Sequence, residues 1–474
     1  GGAPGTMAPG AAPGRPGREE TVVDRERLAA LLERETAAHR ERNPGSAARF
    51  AGADHLFTGV PMTWMTQWAG GFPLSLAGAR GARVTDVDGH EYVDFALGDT
   101  GAMAGHSPAP VVEAVQRRIG ALGGITAMLP TDDAEWVAAE LSRRFGMARW
   151  SFALTATDAN RWALRLARLV TGRPKVLVFS YCYHGSVDET LVVAGPDGTT
   201  VARAGNVAPA VDPARTSVAV EFNDLAAVTA ALETGEVAVV LAEPAMTNMG
   251  IVLPEPGYLA GLRAACDATG TLLLLDETHT LSAGPGGATR AWGLEPDMVT
   301  VGKAIAGGIP IGAFGLRADL AQRIQDTVAA ADADITDVGG VGGTLAGNAL
   351  CMAAARATLE HVLTDEAFAD MEARCTRLVG RARETIDRTG VPWSLAQVGA
   401  RAEYRFCSPA PADGTASHAA HDAELEAYLH LALSNRGVLI TPFHNMVLMC
   451  PETSEADVDL HADLFDEAVG ALVR

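Results

Sequence analysis

The sequence predicts an α/β protein with one large, mainly parallel sheet domain and a smaller α+β domain. In the middle of the chain, continuously apolar runs alternate with helical segments, as a sheet covered by helices on both faces requires. The C-terminal part instead has long helical stretches separated by short extended segments. The predicted divisions are a disordered lead-in at 1–20, N-terminal small-domain residues at 21–99, the large domain at 100–350 and C-terminal small-domain residues at 351–474.

The N-terminal region predicts a helix and a hairpin after the lead-in. Residues 1–16 are almost all glycine, alanine and proline, which is typical of a disordered segment. Residues 24–42 place apolar and charged side chains at helical spacing and predict a helix. Two extended runs within 83–97 flank Asp88 and Gly89, a pair that favours a tight turn because glycine accepts a positive φ.

A second helix is predicted from Ser107. This serine and the prolines that follow it form a helix start signal, with the serine as the capping residue. Helical spacing then places four apolar residues on one stripe: Val112, Val115, Ile119 and Leu122.

The strands of the large sheet are predicted from six apolar runs, most of which should pair in parallel. These runs read FALTAT, KVLVFS, VAVVLAEP, TLLLLDE, MVTVGK and IGAFGLR. In the smaller domain, AGNALCMAAARATLEHVL and DAELEAYLHLALSNRG predict helices, and EYRFCSP and GVLITPF predict extended segments.

Charge and cysteine usage narrow the function. The formal net charge of -21 disfavours nucleic acid or an anionic membrane as the main partner, because both would be repelled. No apolar run approaches the roughly 18 residues of a membrane span, and no signal-peptide pattern opens the chain. Six cysteines are scattered without C-x-x-C spacing, which argues against a zinc site or a disulfide framework. We therefore expect a soluble cytoplasmic protein that acts on small molecules and holds no metal.

Lysine occurs only at Lys175 and Lys303, and all other strong bases are arginines. Lys175 opens the run KVLVFS, where a surface position at the start of a strand is the simpler interpretation. Lys303 ends a strand and enters a glycine-rich bend, where a solubilising lysine is less expected. An amine that must attack a carbonyl cannot be replaced by a guanidinium, whose pKa is too high. Lys303 is therefore the candidate nucleophile.

Polar groups follow several of the predicted strands, and ligands of doubly wound sheets bind at those carboxyl ends. Asp276 ends TLLLLDE and precedes Lys303 by one strand, so both can project into one site. As a lone residue it would equally serve as a turn or helix cap. A carboxylate there would also keep a pyridine nitrogen protonated.

Weaker signals surround this pair. The segment with Ala156 and Thr157 precedes a helix and suits a phosphate, although plain capping explains it as well. Tyr183 would stack on a flat ring or simply pack. Three further residues stand in polar or glycine-rich positions after strands: Glu243, Asn248 and Thr344.

Taken in order, these motifs resemble the class III aminotransferases of pyridoxal-5'-phosphate (PLP) fold type I. The motifs are TATDAN, CYHGSVDET, AEPAMTNMG, LLDET, TVGKAIAGGIPIGAFG and GTLAGN. Within the class, the chain is most similar to the glutamate-1-semialdehyde aminomutase and β-amino-acid aminotransferase branch. The likeness runs from the hairpin near residue 83 to the C-terminal region.

The resemblance implies that PLP is the cofactor and that Lys303 forms a Schiff base with it and shuttles a proton. Asp276 would pair with the pyridine nitrogen, and Tyr183 would stack on the ring. Ala156 and Thr157 would bind the phosphate.

The same resemblance implies that Asn248 touches the phenolic oxygen of the cofactor, supported by Glu243. Thr344 would reach the phosphate of the other subunit of a homodimer. Two departures stand out: Ala156 takes the place of a usual glycine, and Thr278 replaces the valine that packs under the ring. Neither change removes a group that the chemistry needs.

The predicted function is transfer of an amino group between an amine or amino acid and a carbonyl compound. An aminomutase or a racemase would use the same groups, and a PLP-binding protein without activity is a remote alternative. A Rossmann-type nucleotide protein is disfavoured because no strand is followed by G-x-G-x-x-G in the right context.

Substrate preference is predicted from an absence of charge. Between Arg49 and Arg80 the chain has no arginine or lysine, and the segment 60–68 contains Trp64 and Trp68. A carboxylate buried there without a cation would lose several kcal/mol of hydration. We therefore expect substrates with apolar or aromatic side chains. The alternatives are that both tryptophans are core or dimer-interface residues and that a distant arginine, such as Arg290 or Arg405, supplies the charge.

Overall fold

The computed structural model describes residues 23–330 and 340–473, so the predicted lead-in lies outside the described residues. The helices are α1 Arg25–Arg42, α2 Pro44–Ala51, α3 Ala109–Gln116, α4 Asp132–Phe145, α5 Ala156–Thr171, α6 Leu225–Glu233, α7 Tyr258–Thr269, α8 Gly287–Ala291, α9 Ala318–Ala330, α10 Ala349–His361, α11 Asp365–Thr389, α12 Gly414–Ala419, α13 Ala423–Ser434 and α14 Glu455–Val473.

The strands alternate with these helices along the central part of the chain. They are β1 Leu76–Arg80, β2 Arg83–Asp86, β3 Glu91–Asp94, β4 Arg149–Ala153, β5 Lys175–Phe179, β6 Val192–Ala194, β7 Thr200–Ala202, β8 Ser217–Val220, β9 Val237–Ala242, β10 Leu272–Asp276, β11 Met298–Gly302, β12 Gly312–Leu316, β13 Ser394–Val398, β14 Arg401–Arg405, β15 Val438–Leu439 and β16 Met446–Leu448.

The central sheet has seven strands in the order β4-β12-β11-β10-β9-β5-β8. The pairs from β11 to β8 are parallel, and β12 runs antiparallel between β4 and β11. Strands β9, β10 and β11 are buried along their whole length, which explains their uninterrupted apolar sequences. The predicted mainly parallel sheet is confirmed.

Segments from both chain ends form a second, smaller sheet. Strands β1, β2 and β3 are antiparallel, and β15 adds to β3 in parallel. The hairpin predicted around Asp88 and Gly89 is present, with Gly89 at φ +87°. A third sheet, β13-β14-β16, lies entirely in the C-terminal part. The predicted boundary between residues 350 and 351 falls inside α10, and the domain boundaries stay a prediction.

The prediction for the helix after Ser107 is wrong at both ends. Ser107 has φ +50° and does not cap the helix; Pro108 is the N-cap, and it makes no side-chain capping bond. After Gln116 the chain continues as a π-helical turn, which breaks the 3.6-residue period on which the apolar stripe depended. Ile119 and Leu122 are consequently 52% and 55% exposed.

Within residues 23–330 and 340–473, no helix is long and apolar enough to cross a membrane. The same part of the chain contains no cluster of three or more His, Cys, Asp or Glu residues placed to hold a metal ion. All six cysteines are unpaired thiols.

Candidate active site

The candidate site lies at the carboxyl ends of β10 and β11. Asp276 is the last residue of β10, and its register partner on β11 is Thr300. Lys303 follows β11 directly and opens a short 3-10 turn with a φ of +52°. The parallel pairing therefore brings the predicted acid and the predicted nucleophile to one edge of the sheet.

Asp276 is buried and fully hydrogen-bonded on one oxygen. Its Oδ2 accepts from Asn160 Nδ2 at 2.9 Å and lies 3.0 Å from His184 Nδ1, while Oδ1 accepts from the Thr278 N–H at 3.0 Å. Burial alone would raise the pKa of Asp276, but the hydrogen bonds and charge of these neighbours, His184 foremost, lower it to about 2. The carboxylate is held ionised, with capacity left on Oδ1.

Asn160 and His184 were not identified from the sequence as partners of Asp276. Asn160 is a buried residue of α5 whose Oδ1 accepts from Thr300 Oγ1 at 2.7 Å, so it bridges α5 to β11 as well as to Asp276. His184 is buried, and although burial lowers its pKa, Cys182 and Asp276 together raise it well above the ordinary value. An amide within an otherwise apolar helix face was the available sequence signal for Asn160.

Lys303 Nζ has three partners. It lies 2.9 Å from the backbone oxygen of Asp99, 2.9 Å from Asp99 Oδ2 and 2.8 Å from His279 Nε2. Burial would raise the pKa of Asp99, but the charge of Lys303 lowers it. Burial and the charge of Lys303 hold the pKa of His279 well below its usual range. Neither Asp99 nor His279 was singled out from the sequence.

Asp99 sits in a bend with unusual backbone geometry. Leu97, Asp99 and Thr100 have φ values of +44°, +49° and +83°. Such values cost on the order of 1–3 kcal/mol per non-glycine residue and cluster at functional sites. This segment is therefore distinguished by several positive φ values at residues other than glycine.

A buried arginine closes the far side of this bend. Arg401 on β14 is 1% exposed and donates from Nη2 to Thr100 Oγ1 and from Nη1 to Met446 Sδ. Thr100 Oγ1 in turn lies 3.0 Å from His279 Nδ1. The structure thus connects Arg401, Thr100, His279 and Lys303 in one chain of hydrogen bonds.

The segment predicted to bind phosphate does open a helix. Thr155 is the N-cap of α5, and Ala156 is its first residue, so the first backbone N–H groups of α5 lack intrahelical partners. Neighbouring glycines let the chain pack closely here. A Cβ on Gly185 would stand 2.0 Å from Thr157 Oγ1, and one on Gly302 would stand 3.1 Å from Ala156 Cβ.

The remaining predicted site residues lie in several other segments of the chain. Glu243 is buried just beyond β9 and accepts from Thr247 Oγ1 at 2.5 Å. Asn248 donates from Nδ2 to the Tyr181 backbone oxygen at 2.9 Å. Within the described residues, the buried Oγ1 of Thr278 has no hydrogen-bond partner. Thr344 is exposed in the segment that precedes α10.

The two candidate substrate residues have different surroundings. The Trp64 ring lies 5.0 Å from that of Tyr183 and 5.8 Å from that of Phe443, centroid to centroid. Trp68 instead lines a small cavity with His39, Leu439 and other residues. The structure therefore places Trp64, and not Trp68, in contact with Tyr183.

The arginines considered as substitutes for a charge clamp are placed differently. Arg290 is exposed in α8. Arg405 is buried on β14, donates to the backbone oxygen of Ser417 and lies 3.6 Å from Glu403. Its charge is thus already engaged by the protein.

The chain matches one protein family over most of its length. The model of class III aminotransferases matches residues 65–469. The chain belongs to the class III aminotransferase family. Its cofactor is PLP, and its architecture is that of PLP fold type I.

Named relatives of this class III chain include both mutases and transaminases. It is 33% identical over 422 residues to a glutamate-1-semialdehyde 2,1-aminomutase of Anaeromyxobacter sp. (strain Fw109-5), covering 87% of this chain and 95% of the relative. A solved glutamate-1-semialdehyde aminomutase of Pseudomonas aeruginosa PAO1 is 47% identical with a TM-score of 0.91, covering 95% and 99% of the two chains. A β-phenylalanine aminotransferase of Variovorax paradoxus is 28% identical with a TM-score of 0.82, covering 94% and 97%.

The residues present fit PLP. An ionised, buried carboxylate with spare acceptor capacity suits a protonated ring nitrogen, and the opening turn of α5 suits a phosphate. Asp276, Lys303, Tyr183 and the segment Ala156–Thr157 belong to elements that meet at this sheet edge.

Proposed function

We propose that this class III enzyme is an aminotransferase that moves an amino group between an amine or amino acid donor and a carbonyl acceptor. When bound, PLP supplies an electron sink for bond cleavage at the carbon that carries the nitrogen. Lys303 would hold the cofactor covalently and carry the proton that the reaction moves at Nζ. The contacts of Nζ with Asp99 and His279 support this role, because they fix the amine at the end of β11.

Asp276 would pair with the ring nitrogen, and the opening turn of α5 would hold the phosphate through Ala156 and Thr157. Tyr183 would cover the ring. Asn248 would touch the phenolic oxygen, with Glu243 behind it and Thr278 under the ring. The support for Asp276 is its lowered pKa, which keeps a negative charge available at neutral pH.

The observation that carries the substrate preference is the aromatic contact of Trp64. Its ring lies against Tyr183 and Phe443, and it is 38% exposed. Aromatic faces beside the cofactor would bind an apolar or aromatic side chain by burying its surface. The buried arginines Arg401 and Arg405 already have protein partners, so neither is placed as a free clamp for a substrate carboxylate.

A second candidate is aminomutase activity, in which the nitrogen moves within one molecule. The named relatives favour it, because the Pseudomonas aeruginosa protein of 47% identity is a glutamate-1-semialdehyde aminomutase. Both activities would use the same cofactor contacts, so the substrate pocket decides between them.

The test compares a panel of amine donors and carbonyl acceptors with glutamate-1-semialdehyde supplied as the single substrate. We expect stoichiometric carbonyl product from a neutral arylalkyl amine, with a kcat/KM clearly above that for the semialdehyde. Comparable or higher values for the semialdehyde would favour the mutase and contradict the apolar pocket.

Borohydride reduction and peptide mapping should label Lys303, and Lys303 should be labelled equally in the Lys175→Arg variant. Label on Lys175 would contradict the assignment.

We further propose a cytoplasmic homodimer in which Thr344 reaches the cofactor phosphate of the other subunit. The exposure of Thr344 supports this arrangement, because its side chain is available to a second chain. Six unpaired thiols support a reducing compartment.

A further inference from the structure

The hydrogen-bond chain from Arg401 to Lys303 has a direction that is fixed at its two ends. A guanidinium only donates, so Arg401 Nη2 must donate to Thr100 Oγ1. Carbonyl and carboxylate oxygens only accept, so both contacts of Lys303 Nζ with Asp99 are donated by Nζ. Only the two contacts of His279 are left with a choice of donor.

Two arrangements of donor and acceptor satisfy both contacts of His279. If Nζ is an ammonium, it donates its third proton to His279 Nε2, and Nδ1–H faces an acceptor lone pair of Thr100 Oγ1. If Nζ is a neutral amine, its lone pair accepts from Nε2–H, and the Thr100 hydroxyl turns to donate to Nδ1. The imidazole and the hydroxyl carry one proton each in both cases, so the only proton gained or lost is the one on Nζ.

We propose that His279 is a catalytic residue of this site, a neutral imidazole whose change of tautomer keeps Lys303 hydrogen-bonded both as an ammonium and as an amine. This inference rests on the proposed function, because it assumes that Lys303 gains and loses a proton during the reaction. The heavy atoms need not move between the two states. Lys303 therefore stays aimed at one point while its proton comes and goes.

The surrounding charges support a neutral imidazole. His279 faces the Lys303 ammonium and Asp99, whose Oδ1 lies 3.8 Å from Nδ1, and the charges of Arg401 and Asp276 also act on it. Burial and the Lys303 charge lower the pKa of His279 well below its usual range, so a second proton on the ring is disfavoured. Arg401 anchors the chain because its guanidinium is buried and its other described partner is the sulfur of Met446.

The test reads the tautomer directly in cofactor-free full-length protein labelled with 15N-histidine. Nitrogen chemical shifts separate protonated from unprotonated ring nitrogens, and the His279→Phe variant identifies the His279 signals by their loss. As rising pH removes the proton from Nζ, we expect the major form to change from Nδ1–H to Nε2–H without an imidazolium. In Lys303→Met, the tautomer should not depend on pH.

A second measurement follows the amine itself. Competitive acetylation of Lys303, with Lys175 as the internal reference, reports when Nζ becomes an amine, and the tautomer should change over the same pH range. A fixed tautomer while acetylation rises would overturn the proposal. So would an imidazolium, an identical titration in Lys303→Met, or a Lys303 that never becomes reactive.

Kinetics separate this role from simple packing. His279→Phe should lower kcat by about 10-fold or more, with KM little changed, and His279→Gln should recover much of the loss because an amide can turn either its N–H or its oxygen toward Nζ. Equal losses in both variants would contradict the proposal. The NMR result does not depend on the substrate, so an absence of transaminase activity beside a switching tautomer would reject the proposed function alone.

Discussion

Two buried carboxyl groups at neighbouring strand ends have opposite protonation preferences. Asp276 beyond β10 receives hydrogen bonds from Asn160, Thr278 and His184, and its pKa falls to about 2. For Glu243 beyond β9, burial outweighs the His184 charge and the bonds from Thr247, and its pKa rises to about 7. Groups whose environments drive their pKa values apart are typical of catalytic sites.

Glu243→Gln should change the pH dependence of stability. Between the ordinary pKa of 4.5 and about 7, folded Glu243 keeps a proton that the unfolded chain has released. Wild-type stability therefore falls as pH rises through this window, by about 3 kcal/mol at about 1.4 kcal/mol per pKa unit. The neutral amide avoids this loss, so the Tm of the variant minus that of wild type should increase from pH 5 to pH 8. A constant difference would show that Glu243 does not titrate there.

Sequence patterns predicted the candidate site residues at strand ends, but not the residues that contact them from distant parts of the sequence. Lys303 and Asp276 were found because each follows an apolar run at a known edge of the sheet. Asp99 contacts Lys303 across 204 residues, and Arg401 contacts Thr100 across 301. Contacts of that separation are set by the pairing of whole elements, which no local pattern encodes.

The start of α5 is the element on which cofactor binding should depend most. Its N-cap Thr155 accepts from the Asp158 N–H at 3.1 Å, which leaves the earlier N–H groups for a ligand. Gly185, in the loop after β5, packs against Thr157 at a φ of +83°. The close approach of these two segments sets the width of the predicted phosphate site.

Gly185→Ala should weaken PLP binding by about tenfold or more, because the added Cβ meets Thr157 Oγ1 at 2.0 Å and must displace the helix start. The matched control is Gly198→Ala, which has a φ of +69° but no atom within 4 Å of the new Cβ. Both variants carry a backbone cost of roughly 1–2 kcal/mol. Titration of cofactor-free protein with PLP measures the affinity. Equal affinities in the two variants would show that space around Thr157 does not matter.

Elements were predictable where one physical pattern ran through them. Helix α1 agrees with the sequence because its buried residues keep helical spacing. Strands β5, β9, β10 and β11 agree because each is buried along all or nearly all of its length. The prediction for the segment after Ser107 was wrong because its helix changes to a π-helical turn. The number of residues per turn then changes within the segment, so no single spacing of apolar residues describes it.

At the scale of the whole molecule, segments far apart in the sequence come together while Thr344 is exposed. Strand β15 pairs with β3, so residues from opposite ends of the sequence share one sheet. The π-helical turn with Ile119 and Leu122 also exposes apolar surface. The proposed homodimer would give these exposed surfaces a partner.

Mixing two inactive variants tests whether the sites are shared. If Thr344 serves the partner subunit, Lys303→Ala and Thr344→Glu chains should each be inactive alone. A heterodimer of the two then contains one intact site, with Lys303 from one chain and Thr344 from the other. We expect co-expressed, tandem-tagged heterodimers to recover roughly half of wild-type activity, one site in two. No recovery, with each variant still dimeric, would place Thr344 in its own subunit's site.

The scarcity of lysine has a consequence for attaching this protein to a surface. Lys175 is the first residue of β5 and pairs with Glu236 at 2.8 Å, whereas Lys303 follows the last residue of β11. Because β5 and β11 point in the same direction, Lys175 lies at the amino ends of the parallel strands and Lys303 lies at their carboxyl ends. If Lys303 holds the cofactor as proposed, Lys175 is the remaining lysine, and attachment of the enzyme through its side chain would turn the candidate active site away from the support.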